Sequence, residues 1–381
     1  MRRTFKYRLY PTRQQSESLD YQLNEARSLY NAALQERRDA WRMCGVSRNY
    51  YDQANQLKEI REAGNLRLAN YSACQDVLRR VDKVYKAFFR RVKDGQKAGC
   101  PRFKSRDRYD SFTFPAWRDG CHLIDAKRLR VQGVGIIKIK MHRSLAGEIK
   151  TLTLKREAGK WYACFSQAID APVCIPQPGV VGIDVGLTSF AALSTGELVA
   201  NPRNLKAGLG KLRRCQRKVA RRRKGGQGRR KAVRFVQKAH AHVRNQRSDF
   251  QHKLSRRLVS SYGLIAVEDL NIKGLSKGML ARSVNDASWG TFLTKLAYKA
   301  EEAGGELVKV NPYRTSQVCS QCGCLPDVPK TLADRVHSCS CGLVVDRDVN
   351  AARNILRLGL SLWDKTLGIA PCVSQEAVCF S

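Results

Sequence analysis

Carboxylates are scarce in this chain of 381 residues: 33 Asp and Glu stand against 70 Lys and Arg, a formal charge of +37. Self-repulsion on that scale is relieved by a polyanion, so nucleic acid is the expected partner. No run of about 18 apolar residues exists that could cross a bilayer. The segment Met1-Arg-Arg-Thr-Phe-Lys-Tyr7 has no apolar stretch of signal-peptide type. The expectation is a soluble intracellular protein with no membrane partner. Histidine is also sparse, with 6 residues, and neither a Ser/His/Asp arrangement nor a Gly-rich phosphate loop occurs. His240-Ala-His242 has the spacing of a metal pair, but it sits in an Arg/Lys-rich helical stretch without strand context.

Cysteine is plentiful, with 14 residues. In a long basic chain without an export signal these read as metal ligands and buried thiols, not as a disulfide framework. Nine are scattered, such as Cys74 and Cys164, and read as ordinary core or surface residues. The others (Cys319, Cys322, Cys324, Cys339 and Cys341) share one short stretch. Structural zinc wants four soft ligands, usually from two knuckles that each carry a cysteine pair. Cys319-Ser-Gln-Cys322 makes a good first knuckle, and Gly323 permits its turn. Cys339-Ser-Cys341 is one residue shorter than the usual second knuckle. The expected ligands are therefore Cys319, Cys322, Cys339 and Cys341, with Cys324 or His337 as substitutes for Cys339. One zinc held by four protein ligands is structural, because no position is left open for chemistry.

Apolar periodicity divides the chain into a multidomain α+β protein. Residues 4–10 alternate as a strand, and Pro11-Thr12 supplies a turn and a helix N-cap. Helical patterning follows to about residue 95, with Leu19, Leu23, Ala26, Leu29, Tyr30 and Ala33 on one face. Glycine-punctuated alternating runs such as 135–140, 151–154 and 161–165 predict a small antiparallel sheet or barrel. This gives a β-rich domain over 1–10 and 96–171 with a helical domain, 11–95, inserted into it. Pro172–Pro178 is a linker. A third domain spans 179–311 and 343–360, with strands at 180–185, 190–193, 196–199, 264–268 and 306–310. Its helices fall at 203–257, at about 287–303 and from Asp348 onward. The zinc segment, 312–342, interrupts it, and 361–381 reads as a loose tail.

Between residues 203 and 257, about twenty Lys and Arg face one acid, Asp249. Arg213, Arg214, Arg217, Lys218, Arg221, Arg222, Arg223, Arg229 and Arg230 are candidates for phosphate contact in this basic helical hairpin, which breaks at Gly225–Gly228. The carboxylates that remain are informative by position. Asp184 ends the run Val-Val-Gly-Ile-Asp, Glu268 ends Leu-Ile-Ala-Val-Glu, and Asp346-Arg-Asp348 precedes a helical pattern. Metal-dependent phosphodiester hydrolysis needs several carboxylates converging on one point, and hard Mg²⁺ prefers such oxygen ligands.

Gly182-Ile-Asp184-Val-Gly186, Val267-Glu268-Asp269-Leu270-Asn271, Cys319-Ser-Gln-Cys322-Gly323 and Asp346-Arg-Asp348-Val-Asn350-Ala-Ala resemble, in that order, the TnpB (OrfB) proteins of insertion sequences. These are compact relatives of the type V CRISPR effector nucleases. Tyr7-Arg-Leu-Tyr-Pro11-Thr and Pro101-Arg102-Phe103-Lys104 fit the same family, and the resemblance covers roughly 1–358. It implies an RNase H-like (RuvC) nuclease domain with an inserted zinc ribbon, preceded by a β-barrel-like wedge domain carrying a helical recognition domain. It further implies a prokaryotic cytoplasmic, nucleoid-associated protein with a guide RNA from the transposon end. Its substrate would be double-stranded DNA beside a short flanking motif. By position Asp184, Glu268 and Asp348 match the catalytic acids that bind two Mg²⁺. Asp346 competes for the third place; Asp348 is preferred because it stands two residues before Asn350. The rival from another class is an RNA-guided DNA-binding regulator or an accessory transposition factor that does not cut.

Overall fold

Alternation of apolar and basic residues from Arg2 to Tyr10 makes β1 (Arg2–Tyr10), which buries Tyr7 and Leu9 and leaves Lys6 and Arg8 outward. Thr12 then starts α1 (Arg13–Cys44). Its hydroxyl accepts from the Gln15 N–H at 3.2 Å, and the Gln15 side chain accepts from the Thr12 N–H at 3.1 Å, a reciprocal capping box. The computed structural model describes residues 2–170, 175–326, 328–331 and 333–366. Among these the chain divides into two units, Met1–Asp170 and Ala171–Ser381.

In the first unit α1 is followed by α2 (Tyr50–Asn55), α3 (Leu57–Glu62) and α4 (Tyr71–Lys93). The two short helices lie in the stretch 44–65, where the sequence pattern is loose. Next come β2 (Ser111–Phe114), β3 (Cys121–Asp125), β4 (Arg128–Val131), β5 (Gly135–Lys140), β6 (Glu148–Glu157) and β7 (Lys160–Ala168). The seven strands form one antiparallel sheet in the order β2-β6-β7-β1-β5-β4-β3. β1 is central in it, and the helices lie in the connection between β1 and β2. One core joins Tyr7, Phe114, Ile137, Leu152 and Phe165 of the sheet to Leu19, Leu23, Val77 and Leu78 of the helices. On the other side Lys6 Nζ lies 4.1 Å from the Tyr162 ring centroid, and the Arg8 guanidinium 5.3 Å from it.

The second unit is built on β8 (Val180–Asp184), β9 (Ser189–Leu193) and β10 (Leu198–Ala200), an antiparallel meander. A basic helical pair, α5 (Asn204–Ala220) and α6 (Gln227–Ser261), leads to β11 (Leu264–Glu268). After α7 (Ile272–Leu275), α8 (Ala281–Ala287) and α9 (Trp289–Glu302) comes β12 (Glu306–Val310). The sheet order is β10-β9-β8-β11-β12, with β11 parallel to both of its neighbours. The hairpin β13 (Val336–Ser338) and β14 (Val344–Asp346) then feeds directly into α10 (Arg347–Thr366). This helix runs past Leu360, where the sequence pattern weakens. The rest of the expected tail, 367–381, lies outside the described residues.

Both faces of the second sheet are covered, which explains why β11 is buried throughout. Val181, Ile183, Ile265 and Val267 point toward Leu254 and Leu258 of α6 and Phe292 and Leu296 of α9. Two buried lysines on successive turns of α9 bond across to α6. Lys295 Nζ donates to Gln251 Oε1 at 3.0 Å and to Ser248 Oγ at 3.1 Å, and Lys299 Nζ donates to the His252 carbonyl and Ser255 Oγ, both at 2.7 Å. α10 covers the opposite face. It lies so close to β8 that a Cβ on Gly182 would come within 2.1 Å of the Ala352 carbonyl oxygen, so only glycine fits there.

Candidate functional site

Strand alternation decides which carboxylates meet. Gly182 and Ala266 both face α10, so Asp184 and Glu268, two residues further along their strands, face it too. β8 and β11 are parallel neighbours in which Val267 pairs with Ile183. Continuing that register sets Glu268 beside Asp184. α10 begins over the same end of the sheet and brings Asp348 in its first turn. The loop after β8 also belongs to this corner: a Cβ on Gly186 would lie 3.8 Å from Asp348 Oδ2.

Asp346 and Asp348 are separated by their hydrogen bonds. Asp346 ends β14, and its Oδ1 accepts from the N–H groups of Asp348 (2.8 Å) and Val349 (3.3 Å), so it caps α10. Asp348 lies one step inside the helix and turns its carboxylate to the sheet corner. Burial, with the Glu268 and Asp348 carboxylates nearby, pushes the Asp184 carboxyl up to about 8, while the Arg347 guanidinium and the Val185 N–H oppose this. Burial also raises Glu268, against a hydrogen bond from the Thr315 hydroxyl that favours its charged form.

This burial and crowding of Asp184 has a pH consequence. Below its ordinary value of 3.8, Asp184 is protonated whether the chain is folded or not. Between that value and about 8 the unfolded chain has released the proton and the folded chain keeps it. Stability therefore falls with rising pH, by at most about 1.4 kcal/mol per unit. With zinc retained and no Mg²⁺ added, the melting temperature is expected to fall from pH 5 to pH 8 more steeply than in Asp184→Asn. Equal slopes in the two proteins would show that the Asp184 carboxyl is not raised in the folded chain.

The donor type suits Mg²⁺: three hard carboxylates stand at one corner, although their oxygens are not gathered within 4.8 Å of one another as the ligand atoms of the cysteine group are. Sequence reasoning missed the supports of this corner. Thr315, which orients Glu268, follows β12, where nothing in the local pattern marks it. Asn350 and Asn354, one turn apart on α10, are buried and clamp the segment leading to the first knuckle. Asn350 Nδ2 donates to the Val318 carbonyl at 2.7 Å and its Oδ1 accepts from the Ser320 N–H at 2.9 Å. Asn354 Nδ2 donates to the carbonyls of Thr315 (2.9 Å) and Val318 (2.7 Å).

The cysteines form a second centre. Cys319, Cys322, Cys339 and Cys341 place their sulfurs within 4.8 Å of one another, the one such group of metal-donor side chains among the described residues. Sulfurs about 2.3 Å from a tetrahedral ion lie about 3.8 Å apart. Here Cys319 and Cys341 sulfurs are separated by 3.7 Å and those of Cys322 and Cys339 by 3.5 Å. Ligand type, number and spacing therefore fit one structural zinc. The short second knuckle closes by a tighter turn: Gly342 N–H donates to Cys339 O across three residues, whereas Gly323 N–H reaches Cys319 O across four. Gly342 takes a φ of 90° to do so. Cys324 is exposed and His337 is buried, and neither belongs to the cluster.

The basic candidates lie on α5, α6 and the turn between them. Arg213, Arg214, Arg217, Lys218, Arg221, Arg222, Arg223 and Arg230 are exposed. Arg229 differs, because its Nη1 donates to the Val219 carbonyl at 2.7 Å and so braces the turn. His240 and His242 are exposed on α6. Of the aromatics set among basic residues, Tyr7 and Trp161 are core, whereas Tyr10 and Phe103 are largely exposed.

Comparison with known proteins adds an independent line. A "Putative RNA-guided DNA endonuclease" of Streptomyces pristinaespiralis is 36% identical over 390 residues, spanning 97% of this chain and 92% of its own. The chain belongs to the TnpB (OrfB) family. Its TnpB core, residues 175–279, matches the OrfB_IS605 family described as "Probable transposase" and contains Asp184 and Glu268. Residues 289–355 match the Cas12f1-like TNB domain, which here holds all four cysteines and Asp348. Residues 1–45, which form β1 and α1, match a helix-turn-helix domain of the same family. InsQ of Escherichia coli K12, also named a putative RNA-guided DNA endonuclease, is 28% identical over 93% of this TnpB chain and 92% of its own. Among solved structures, a chain of a Cas12f1-sgRNA-target DNA complex aligns over 93% of this chain and 99% of its own, with a TM-score of 0.37 and 17% identity.

Proposed function

We propose that this TnpB protein is a transposon-encoded, RNA-guided endonuclease that cuts double-stranded target DNA and supports maintenance of its element. The observation that carries the reading is the convergence of Asp184, Glu268 and Asp348 at one sheet corner under the start of α10. An order of three antiparallel strands followed by two parallel ones, with α10 across β8 and β11, supports an RNase H-like (RuvC) domain over 179–311 and 343–360. On this reading 312–342 is a zinc ribbon set into the nuclease. Segments 1–10 and 96–171 form a wedge domain, and 11–95 is its helical recognition insertion.

Asp184, Glu268 and Asp348 would hold two Mg²⁺, which when bound supply an activated water and charge stabilisation at the scissile phosphate. Thr315 keeps the Glu268 carboxylate turned toward that point through its hydroxyl. Asp346 fixes where α10 starts, and with it the direction of Asp348. Exposed arginines of α5 and α6 would track guide RNA or heteroduplex through the phosphate backbone, reading shape and not sequence. The flanking DNA motif would be read by the protein itself.

The test is to purify the full chain with its bound RNA, sequence that RNA, and offer plasmid carrying the matching target with Mg²⁺. RNA-dependent cutting of the matched plasmid is expected, and its absence sinks the proposal. The two neighbouring acids give a further expectation. Asp346→Ala removes a cap worth about 1 kcal/mol; it should lower the melting temperature by a few degrees and leave cutting measurable. Loss of all cutting in a folded Asp346→Ala protein, together with cutting that survives in Asp348→Ala, would move the third acid from Asp348 to Asp346.

A further inference from the structure

Arg347 stands where helix physics disfavours it. It is the first residue of α10, and the free N–H groups at a helix start attract anions and repel cations. Its side chain is nevertheless only 13% exposed, with Nη2 3.3 Å from Asp348 Oδ1. Successive helix positions point about 100° apart and do not face each other. The contact is therefore imposed from outside the helix. Thr331 imposes it: its carbonyl accepts from Arg347 Nη1 at 3.0 Å. Thr331 is itself held by Asp334, whose Oδ2 accepts from the Thr331 N–H at 2.7 Å and from its hydroxyl at 2.9 Å. The Arg347 N–H also donates to the Arg335 carbonyl at 2.8 Å. Thr331 and Asp334, ahead of the second zinc knuckle, thus hold a guanidinium against the third carboxylate.

We propose that Arg347 is a positioning residue that acts as the resident counter-ion of Asp348 and competes with divalent metal for it. The proposal rests on reading Asp184, Glu268 and Asp348 as the metal-binding acids. Arg347 meets Asp348 through one nitrogen at 3.3 Å and Thr331 through another at 3.0 Å. A cation drawing on Asp348 breaks the longer bond first, and the guanidinium keeps its carbonyl. Without metal, Arg347 holds Asp348 in place against the repulsion of its neighbouring carboxylates. With metal, it yields, and the cost of that exchange lowers affinity for every divalent ion alike.

Mn²⁺ titrated into the zinc-loaded full chain, followed by loss of the free-ion EPR signal, reads this directly. Arg347→Gln is expected to bind Mn²⁺ at least about threefold more tightly than the unaltered chain, because a partly buried charge contact no longer has to be broken. Arg347→Lys keeps the charge but cannot bridge Asp348 and Thr331 together, and should fall between the two. Equal or weaker binding by an Arg347→Gln protein of unchanged zinc content and melting temperature overturns the proposal. Should Arg347→Gln lose zinc or melt early, Arg347→Lys decides, and affinity no tighter than that of the unaltered chain overturns it. Asp184→Ala separates this claim from the one beneath it. If it leaves Mn²⁺ binding intact, the acids are not the metal site and the wider reading fails. If it abolishes binding while Arg347→Gln changes nothing, only the role of Arg347 fails.

Discussion

Asp184→Ala is expected to lower RNA-dependent DNA cutting by about 10³-fold or more while leaving RNA binding within about twofold of the unaltered protein. Metal ions supply several kcal/mol of charge stabilisation to phosphoryl chemistry, and each 1.36 kcal/mol is about tenfold in rate. Burial raises the Asp184 carboxyl, and Glu268 and Asp348 raise it further. Its removal therefore disturbs the whole cluster and not a single contact. The fold should tolerate the change, because the deleted group is a crowded carboxylate and not an apolar anchor such as Ile183. Combining Asp184→Ala with Asp348→Ala should cost little more, as residues acting as a unit are not additive. Quantifying cut plasmid per RNA-loaded protein checks this; cutting that survives Asp184→Ala removes the proposed chemistry.

Cys322→Ser should have an effect of comparable size by another route. Structural zinc contributes about 10–16 kcal/mol to isolated zinc-finger folding, and here its segment is tied to α10 through Asn350 and Asn354. The same segment carries Thr315, the partner of Glu268. Losing one thiolate should release zinc, free the Val318–Gly323 backbone to exchange its amide hydrogens, and reduce cutting on the order of 10²-fold as Glu268 loses its orientation. Cys324→Ser should do none of this, because its sulfur lies outside the cluster. Zinc content near one per chain, amide exchange and cutting rate are the three measurements. A Cys322→Ser protein that keeps its zinc and cuts normally would refute the coupling.

Much of this was legible before folding. The run Leu-Ile-Ala-Val-Glu268 reads as a buried strand and is one. Thr12 reads as an N-cap and makes a capping box, and four of the five clustered cysteines converge as their spacing suggests. These are short-range features, in which period, turn chemistry and ligand type are carried by adjacent residues. What the pattern missed depends on distant partners. β3, Cys-His-Leu-Ile-Asp, lacks the clear alternation of its partner β4, and the contacts of Arg229, Thr315 and Arg347 depend on partners that no motif announces.

The acids divide the two kinds of information most clearly. Sequence alone determined that the chain is strongly basic, that Asp184 and Glu268 end apolar strands, and that two aspartates stand at a helix start. Only the tertiary structure decided which of those two meets the others. Asp346 ends β14 and Asp348 lies in the first turn of α10, so the outcome turns on where α10 begins and how it lies on the sheet. Asp346 is spent on the cap, and Gly182 lets α10 settle against β8. Those constraints, from β14 before the helix and β8 beneath it, turn Asp348 toward Asp184 and Glu268.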